Sequence, residues 1–205
     1  MDSFKLAYKE SMIYLLGKVA QVKKSEYYSE KELEILQRKR FETLVKYAMK
    51  NSKFYREYYG DYNISEEAIS NMAVNEFPKI NKTILMENFE SVLTENDLTL
   101  KEAEQFLANE ESIGKKYRGK YSLIHTSGSS GKIGIFVYDS DGWQTLKAMV
   151  LTRVSQSSLF HLKREKITFI GATAGHYAGV TLASSVPSFF YQLNNYYRAA
   201  RAASS

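Results

Sequence analysis

The chain has 205 residues, 44% hydrophobic and 25% charged, which gives room for one domain or a modest pair and places it among globular chains, not disordered or fibrous ones. It contains no cysteine, which excludes disulfides, thiol nucleophiles, iron–sulfur clusters and cysteine-based zinc sites. Residues 1–120 carry 20 Lys+Arg and 20 Asp+Glu and residues 121–205 carry 8 and 3, so the whole net charge of +5 lies in the last 85 residues, where an anion is expected to bind.

The first segment, MDSFKLAYKESMIYLLGKVAQVKK, places Phe4, Tyr8, Leu15, Val19 and Val22 at helical spacing, which predicts one amphipathic helix packed on the rest of the chain. Lys5, Lys9, Glu10 and Lys18 interrupt it, so neither a secretory signal nor an integral membrane segment is expected, and the expected location is cytoplasmic. Ser29 with Glu32 forms a capping-box start for a second long helix, whose apolar face runs through Leu33, Leu36, Phe41, Leu44, Val45 and Ala48. The aromatic stretch KNSKFYREYYGDYN is expected to end it in a turn at Gly60, and Ser65 with Glu66 and Glu67 to begin a short third helix before Pro78. Asn81 is placed to cap NKTILMENFESVL, and Thr99 with Glu102 to open a helix through LKEAEQFLANEE. Residues 1–120 therefore read as a mostly helical region.

The pattern changes at Tyr121. YSLIHT reads as a short strand, SGSSGK as a turn-rich loop and IGIFVY as a second strand, after which Asp139 or Asp141 caps a helix carrying Leu146, Met149, Val150 and Val154. KITFIGA, 166–172, reads as a buried strand followed by a glycine-containing turn and a further helix. The fold class expected is α/β, with 121–205 an incomplete α/β nucleotide-binding region and both parts belonging to one larger domain.

The stretch HTSGSSGKIG, 125–134, concentrates glycines, hydroxyls and a lysine between two apolar strands. Glycines let consecutive N–H groups turn inward as a nest, hydroxyls add donors and Lys132 adds positive charge, a combination suited to a triphosphate. It is not the P-loop of NTPases, because Thr126 and Ile133 stand where that motif has a glycine and a Ser or Thr. A dinucleotide fingerprint is excluded because the continuation is strand-like. A polar hairpin loop without ligand is the plain alternative.

SLIHTSGSSGKIGIFVY resembles the phosphate-binding loop of the adenylate-forming superfamily of acyl-CoA synthetases, adenylation domains and luciferases. Thr126, Ser127, Gly128, Ser129, Ser130 and Gly131 match that loop in order, and Lys132, directly after the last glycine, is similar to the phenylacetate coenzyme A ligase branch, which includes relatives in capsular polysaccharide biosynthesis. YAMKNSKFYREYY, FPKINKTILMENF and IGATAGHYAG also look like segments of that branch. The resemblance implies a helical N-terminal region followed by part of a mixed α/β sheet. It also implies ATP and Mg²⁺, with Thr126, Ser127, Gly128, Ser129, Ser130, Gly131 and Lys132 on the phosphates. A small carboxylic acid attacks the α-phosphate to give acyl-AMP and pyrophosphate, and the acyl group passes to coenzyme A or another nucleophile. Ile133 and Gly134 depart from the Pro-Lys common at those places, so the phosphate lysine is either replaced by Lys132 or missing. The adenine motif, the ribose aspartate and the lid lysine are not found, so the chain reads as an N-terminal piece, inactive alone and able to self-associate through an incomplete sheet edge. The alternative is a non-catalytic interaction module or relic that keeps the loop.

Gly175, His176 and Tyr177, in the glycine-rich GATAGHYAG, are candidates for the acyl-substrate pocket, with a satisfied structural histidine as the alternative. His125 reads as a strand-end packing group, and Trp143 and the tyrosines as core and amphipathic surface. His125, His161 and His176 show no metal-ligand spacing, so no protein-held metal is expected. Lys23-Lys24, Arg38-Lys39-Arg40 and Lys115-Lys116 form no one-signed stripe, so no nucleic-acid partner is expected.

Overall fold

The computed structural model describes residues 2–95, 97–126, 128, 133–154 and 175–185. In chain order the elements are α1 (Asp2–Lys9), α2 (Met12–Lys24), α3 (Glu30–Asn51), α4 (Lys53–Asp61), α5 (Glu66–Ile69), α6 (Lys82–Glu87), α7 (Phe89–Val92), α8 (Leu100–Ala108), β1 (Ser122–His125), β2 (Ile135–Tyr138), α9 (Ser140–Val154) and α10 (Ala178–Ser185). The described chain is mostly helical, with β1 and β2 paired as a small antiparallel sheet. The expected strand 166–172 lies outside the described residues, as do Ser127, Ser129, Ser130, Gly131 and Lys132 of the loop and the aromatic segment after 185.

Two compact units cross the change in composition at residue 120. A helical unit comprises 23–105 with 128–135, and a mixed unit comprises 1–22, 106–127 and 136–205.

Local capping explains much of the helical unit. Ser29 Oγ accepts from the Glu32 N–H while the Glu32 carboxylate accepts from the Ser29 N–H at 2.8 Å, so the predicted capping box opens α3. Ser65 and Asn81 cap α5 and α6 by accepting from the Ala68 and Ile84 N–H groups, and the Thr99–Glu102 pair forms a second reciprocal box at the start of α8. Gly60 is not a turn: α3 ends at Ser52, whose hydroxyl caps a new helix, and α4 runs through Gly60 to Asp61. The reversal comes at Tyr62 and Asn63, where Asn63 takes φ 56°, a left-handed conformation that asparagine tolerates. The NKTILMENFESVL helix is likewise broken at Asn88, whose φ of −118° separates α6 from α7. The core joins Val45 and Met49 of α3 to Tyr59, Ile64, Ile69 and Phe77, with Phe41, Tyr55, Tyr58 and Met72 around it. Phe77 packs edge-on against Phe41 at 4.8 Å and Tyr59 at 5.9 Å. Arg38 ties the layer together, donating to the carbonyls of Ile69 and Met72 and to Glu42.

In the mixed unit the predicted first helix is two. The break falls at Glu10 and Ser11, where Ser11 Oγ accepts from the Tyr14 N–H at 3.2 Å and starts α2. Leu15 and Val19 of α2 pack on Ala148 and Leu151 of α9, all four with relative exposure of 4% or less, so this apolar stripe is core. Asp139, and not Asp141, caps α9, accepting from the Gly142 N–H at 2.7 Å. Asp141 instead pairs with Lys18 at 2.8 Å and accepts from the Tyr14 hydroxyl. Trp143 is buried and meets Tyr138 at 5.5 Å. Before the sheet, Tyr117 and Tyr121 bridge across a tight turn with Arg118 at φ 50° and Gly119 at φ 68°, the handedness that suits an antiparallel reversal. Ser122, Leu123 and Ile124 of β1 are all buried, the pattern of a strand covered on both faces.

Candidate functional site

The strand–loop–strand arrangement is as expected: β1 ends at His125, Thr126 and Gly128 begin the loop, and Ile133 and Gly134 lead into β2. Of the seven predicted phosphate-contacting residues, only Thr126 and Gly128 lie among the described ones. Gly128 has φ 69°, and a Cβ built on it would come within 3.0 Å of the Ile133 side chain. The left-handed backbone favours glycine there, and a β-carbon would also need the Ile133 side chain to shift by a few tenths of an ångström. Ile133 is thus a packing neighbour of Gly128.

The second predicted group is assembled beside the end of β1. The His125 N–H donates to the His176 carbonyl at 3.0 Å, and His125 and Tyr177 form a parallel bridge. A parallel pairing needs an intervening crossover, and α9 lies within the chain between them. His125 Nδ1–H donates to the Thr126 carbonyl at 3.0 Å, and the ring meets that of Tyr177 at 4.6 Å. Gly175, at φ 91°, lets the chain pass His125: a Cβ would lie 3.3 Å from both His125 Nε2 and the Tyr177 ring.

His176 is fully buried, whereas Gly175 and Tyr177 keep some exposed surface. Its Nε2 lies 3.0 Å from Ser112 Oγ and 3.3 Å from the Asn109 carbonyl, and its ring tilts against Phe106 at 5.3 Å. The Ser112 hydroxyl reaches the carbonyls of both Phe106 and Asn109, so its proton goes to one of them and its lone pair faces the imidazole. Carbonyls cannot donate, so Nε2 carries the ring proton and Nδ1 is a buried acceptor with no partner among the described residues. Burial holds the imidazole below the usual histidine range; the Asn109 carbonyl opposes the shift and His125 adds to it. His176 is therefore a neutral, oriented ring. Thr181 of α10 adds a second buried oxygen, Oγ1, without a partner among the described residues.

Sequence reasoning brought Gly175, His176 and Tyr177 to notice but missed Phe106, Asn109 and Ser112. They lie more than sixty residues upstream, and no local spacing links a serine in a helix-end turn to a distant histidine. A second polar group also escaped notice. Lys116 bonds Glu10, and both meet Ser140 Oγ, at 2.9 and 3.0 Å, while Lys147 lies close by on α9.

Among the described residues no group of three or more His, Cys, Asp or Glu is placed to hold a metal ion, and no helix is long and apolar enough to cross a membrane. No family model, curated protein or solved structure matches the chain.

Proposed function

We propose that this chain belongs to an ATP-dependent adenylate-forming ligase that activates a small carboxylic acid as acyl-AMP for transfer to coenzyme A or another nucleophile. One observation supports the reading: the sequence TSGSSGK, 126–132, falls in the chain between two antiparallel strands, and its Gly128 has a left-handed backbone that L side chains rarely adopt. A segment of that composition suits a phosphate chain, because backbone N–H groups approach an anion closely only where no Cβ intervenes. Charge-assisted hydrogen bonds of that kind contribute roughly 1.5–3 kcal/mol each. Thr126, Ser127, Ser129 and Ser130 supply hydroxyls and Lys132 the cation. Mg²⁺ enters with the nucleotide, held by phosphate oxygens, and neutralises charge there. Acceleration of attack at the α-phosphate comes from positioning and charge stabilisation beyond what ground-state binding provides. Gly175 and Tyr177 border the acid, and His176, neutral and oriented by Ser112, fixes their turn.

Isothermal titration of the chain with ATP and Mg²⁺ tests this reading. Saturable binding that Gly131→Val abolishes is expected, since a branched side chain blocks backbone approach. Binding unchanged by that substitution overturns the loop assignment. A non-catalytic module retaining the loop is the second reading, favoured by Ile133 and Gly134. It is distinguished by ATP binding without acid-dependent pyrophosphate release in the longest form of the protein that can be prepared.

A further inference from the structure

The segment 175–185 docks within the mixed unit through a histidine and not through an apolar stripe. Of its described side chains only His176 and Thr181 are buried, both polar, whereas Val180 and Leu182 of α10 stay partly exposed. His176 is the largest fully buried side chain of the segment and holds it on its neighbours. Its carbonyl accepts from the His125 N–H of β1 at 3.0 Å, its Nε2 lies 3.0 Å from Ser112 Oγ, and its ring meets Phe106 at 5.3 Å. Toward the other end of α10 the contact is between small groups: a Cβ built on Gly114 would lie 3.0 Å from Ser184 Cβ. With no large apolar side chain buried among its described residues, this segment belongs to the low end of local stability.

We propose that His176 is a proton-operated latch: the neutral imidazole holds 175–185 on β1 and on the turn that carries Ser112, and protonation releases that segment while the helical unit stays folded. The surroundings of the ring accommodate one ring proton only. Ser112 Oγ and the Asn109 carbonyl take the Nε2–H, and buried Nδ1 has no partner among the described residues. An imidazolium carries an N–H on each nitrogen, so the second would be buried without an acceptor, a cost removed when the segment leaves and water solvates the ring. The charged and titratable groups on the neighbouring elements supply no acceptor. Glu104, Glu110 and Glu111 are exposed, Glu102 accepts from Thr99, Lys101 and Lys115 only donate, and His125 and Tyr177 pack on each other. Burial accordingly keeps the imidazole below the usual histidine range, opposed by the Asn109 carbonyl and aided by His125. The released segment binds the proton more readily than the docked one, so docking is complete above pH 6.5 and weakens as pH falls through the docked value. The latch operates whether or not the loop at 126–132 binds a nucleotide.

Hydrogen exchange of the full chain at pH 5 and pH 8, read by peptide mass spectrometry and corrected for the pH dependence of intrinsic exchange, tests the latch. Protection over 177–185 is expected to be lower at pH 5, by up to about 30-fold, the preference of an ordinary imidazole of pKa 6.5 for its protonated form at that pH. Peptides spanning Val45 and Met49 of α3 should keep their protection. Equal protection of 177–185 at both pH values, or a loss shared by the α3 peptides, overturns the proposal. His176→Gln keeps an N–H for Ser112 but takes up no proton, so protection there should not change with pH, and a pH dependence that persists in this variant also overturns it. His125→Asn removes the other imidazole at this turn and should leave the pH dependence in place; its disappearance would assign the proton to the wrong histidine. Imidazole NMR of the native chain needs no variant: His176 should carry its proton on Nε2 at pH 8 and titrate below 6.5, with the α10 amide signals changing at the same midpoint. A midpoint at or above 6.5 refutes the latch.

Discussion

Seven of the eight buried polar side chains among the described residues, Ser112, Ser122, Ser140, Gln144, Thr152, His176 and Thr181, belong to the mixed unit, and only Ser52 belongs to the helical unit. The helical unit is held by aliphatic and aromatic packing and by capped helix ends, whose strength changes little between pH 5 and 8, where the capping carboxylates stay ionised. The mixed unit buries an imidazole, an amide and several hydroxyls, which costs free energy unless each finds a partner. His176 Nδ1, Gln144 Oε1 and Thr181 Oγ1 have none among the described residues. A fold keeps such groups where they orient something or await a ligand. The contrast therefore distinguishes the two units by their buried polarity, independently of any motif.

The largest effect expected from this contrast is in the helical unit. Phe77→Ala removes a 7%-exposed ring packed on Phe41 and Tyr59, and a loss of about 3–5 kcal/mol is expected from urea unfolding, independent of pH between 5 and 8. A loss below about 1 kcal/mol would show that the aromatic cluster is not the core.

An intermediate effect is expected at Ser112 and His176. Ser112→Ala deprives the buried imidazole N–H of an acceptor, and a cost of about 1–3 kcal/mol is expected at pH 8. Because the folded state holds His176 below its ordinary 6.5, the unfolded chain binds the proton more readily, so this contribution to stability is present above pH 6.5 and is lost as pH falls through the folded value. Unfolding of the native chain and of His176→Gln at pH 5 and pH 8 measures it. The difference between the two proteins should favour the native chain more at pH 8, and the same difference at both values would refute a depressed histidine.

The smallest effect is expected on the surface of the helical unit. Lys53 and Glu57 approach to 3.9 Å with side chains 72% and 64% exposed, a geometry in which screening leaves little net energy. Lys53→Met should change the urea midpoint within experimental error, in both low and high salt. A clear salt-dependent loss would mean that charge pairing contributes more to the helical unit than its packing indicates.

How much of this was legible in the sequence depended on the range of each interaction. The caps at Ser29, Asn81 and Thr99 were readable because donor and acceptor lie three residues apart, and β1 and β2 because β-branched and aromatic runs flank a glycine-rich turn. The break at Ser11 was missed because apolar spacing continues across it, and Gly60 misled because one glycine costs a helix only about 1 kcal/mol, which aromatic packing offsets. The loop's composition was evident, yet the left-handed backbone of Gly128 and its approach to Ile133 were not, because both are set by how the chain turns after β1. The Ser112–His176 contact and the Lys116–Glu10–Ser140 cluster join positions whose proximity arises solely from tertiary folding.

The packing of Leu15 and Val19 on Ala148 and Leu151 also sets an order of events during synthesis. The α2 stripe leaves the ribosome long before its partner on α9 exists. At ~5–20 residues per second the interval between residues 15 and 151 is roughly 7–27 s, during which the amphipathic face has nothing from its own core to cover it. The helical unit, 23–105 with its short return at 128–135, is made wholly within that interval and assembles its main apolar cluster first. Nascent chains stalled before residue 140 should therefore expose Leu15 and Val19 to chaperones and proteases, and chains extended beyond residue 154 should protect them.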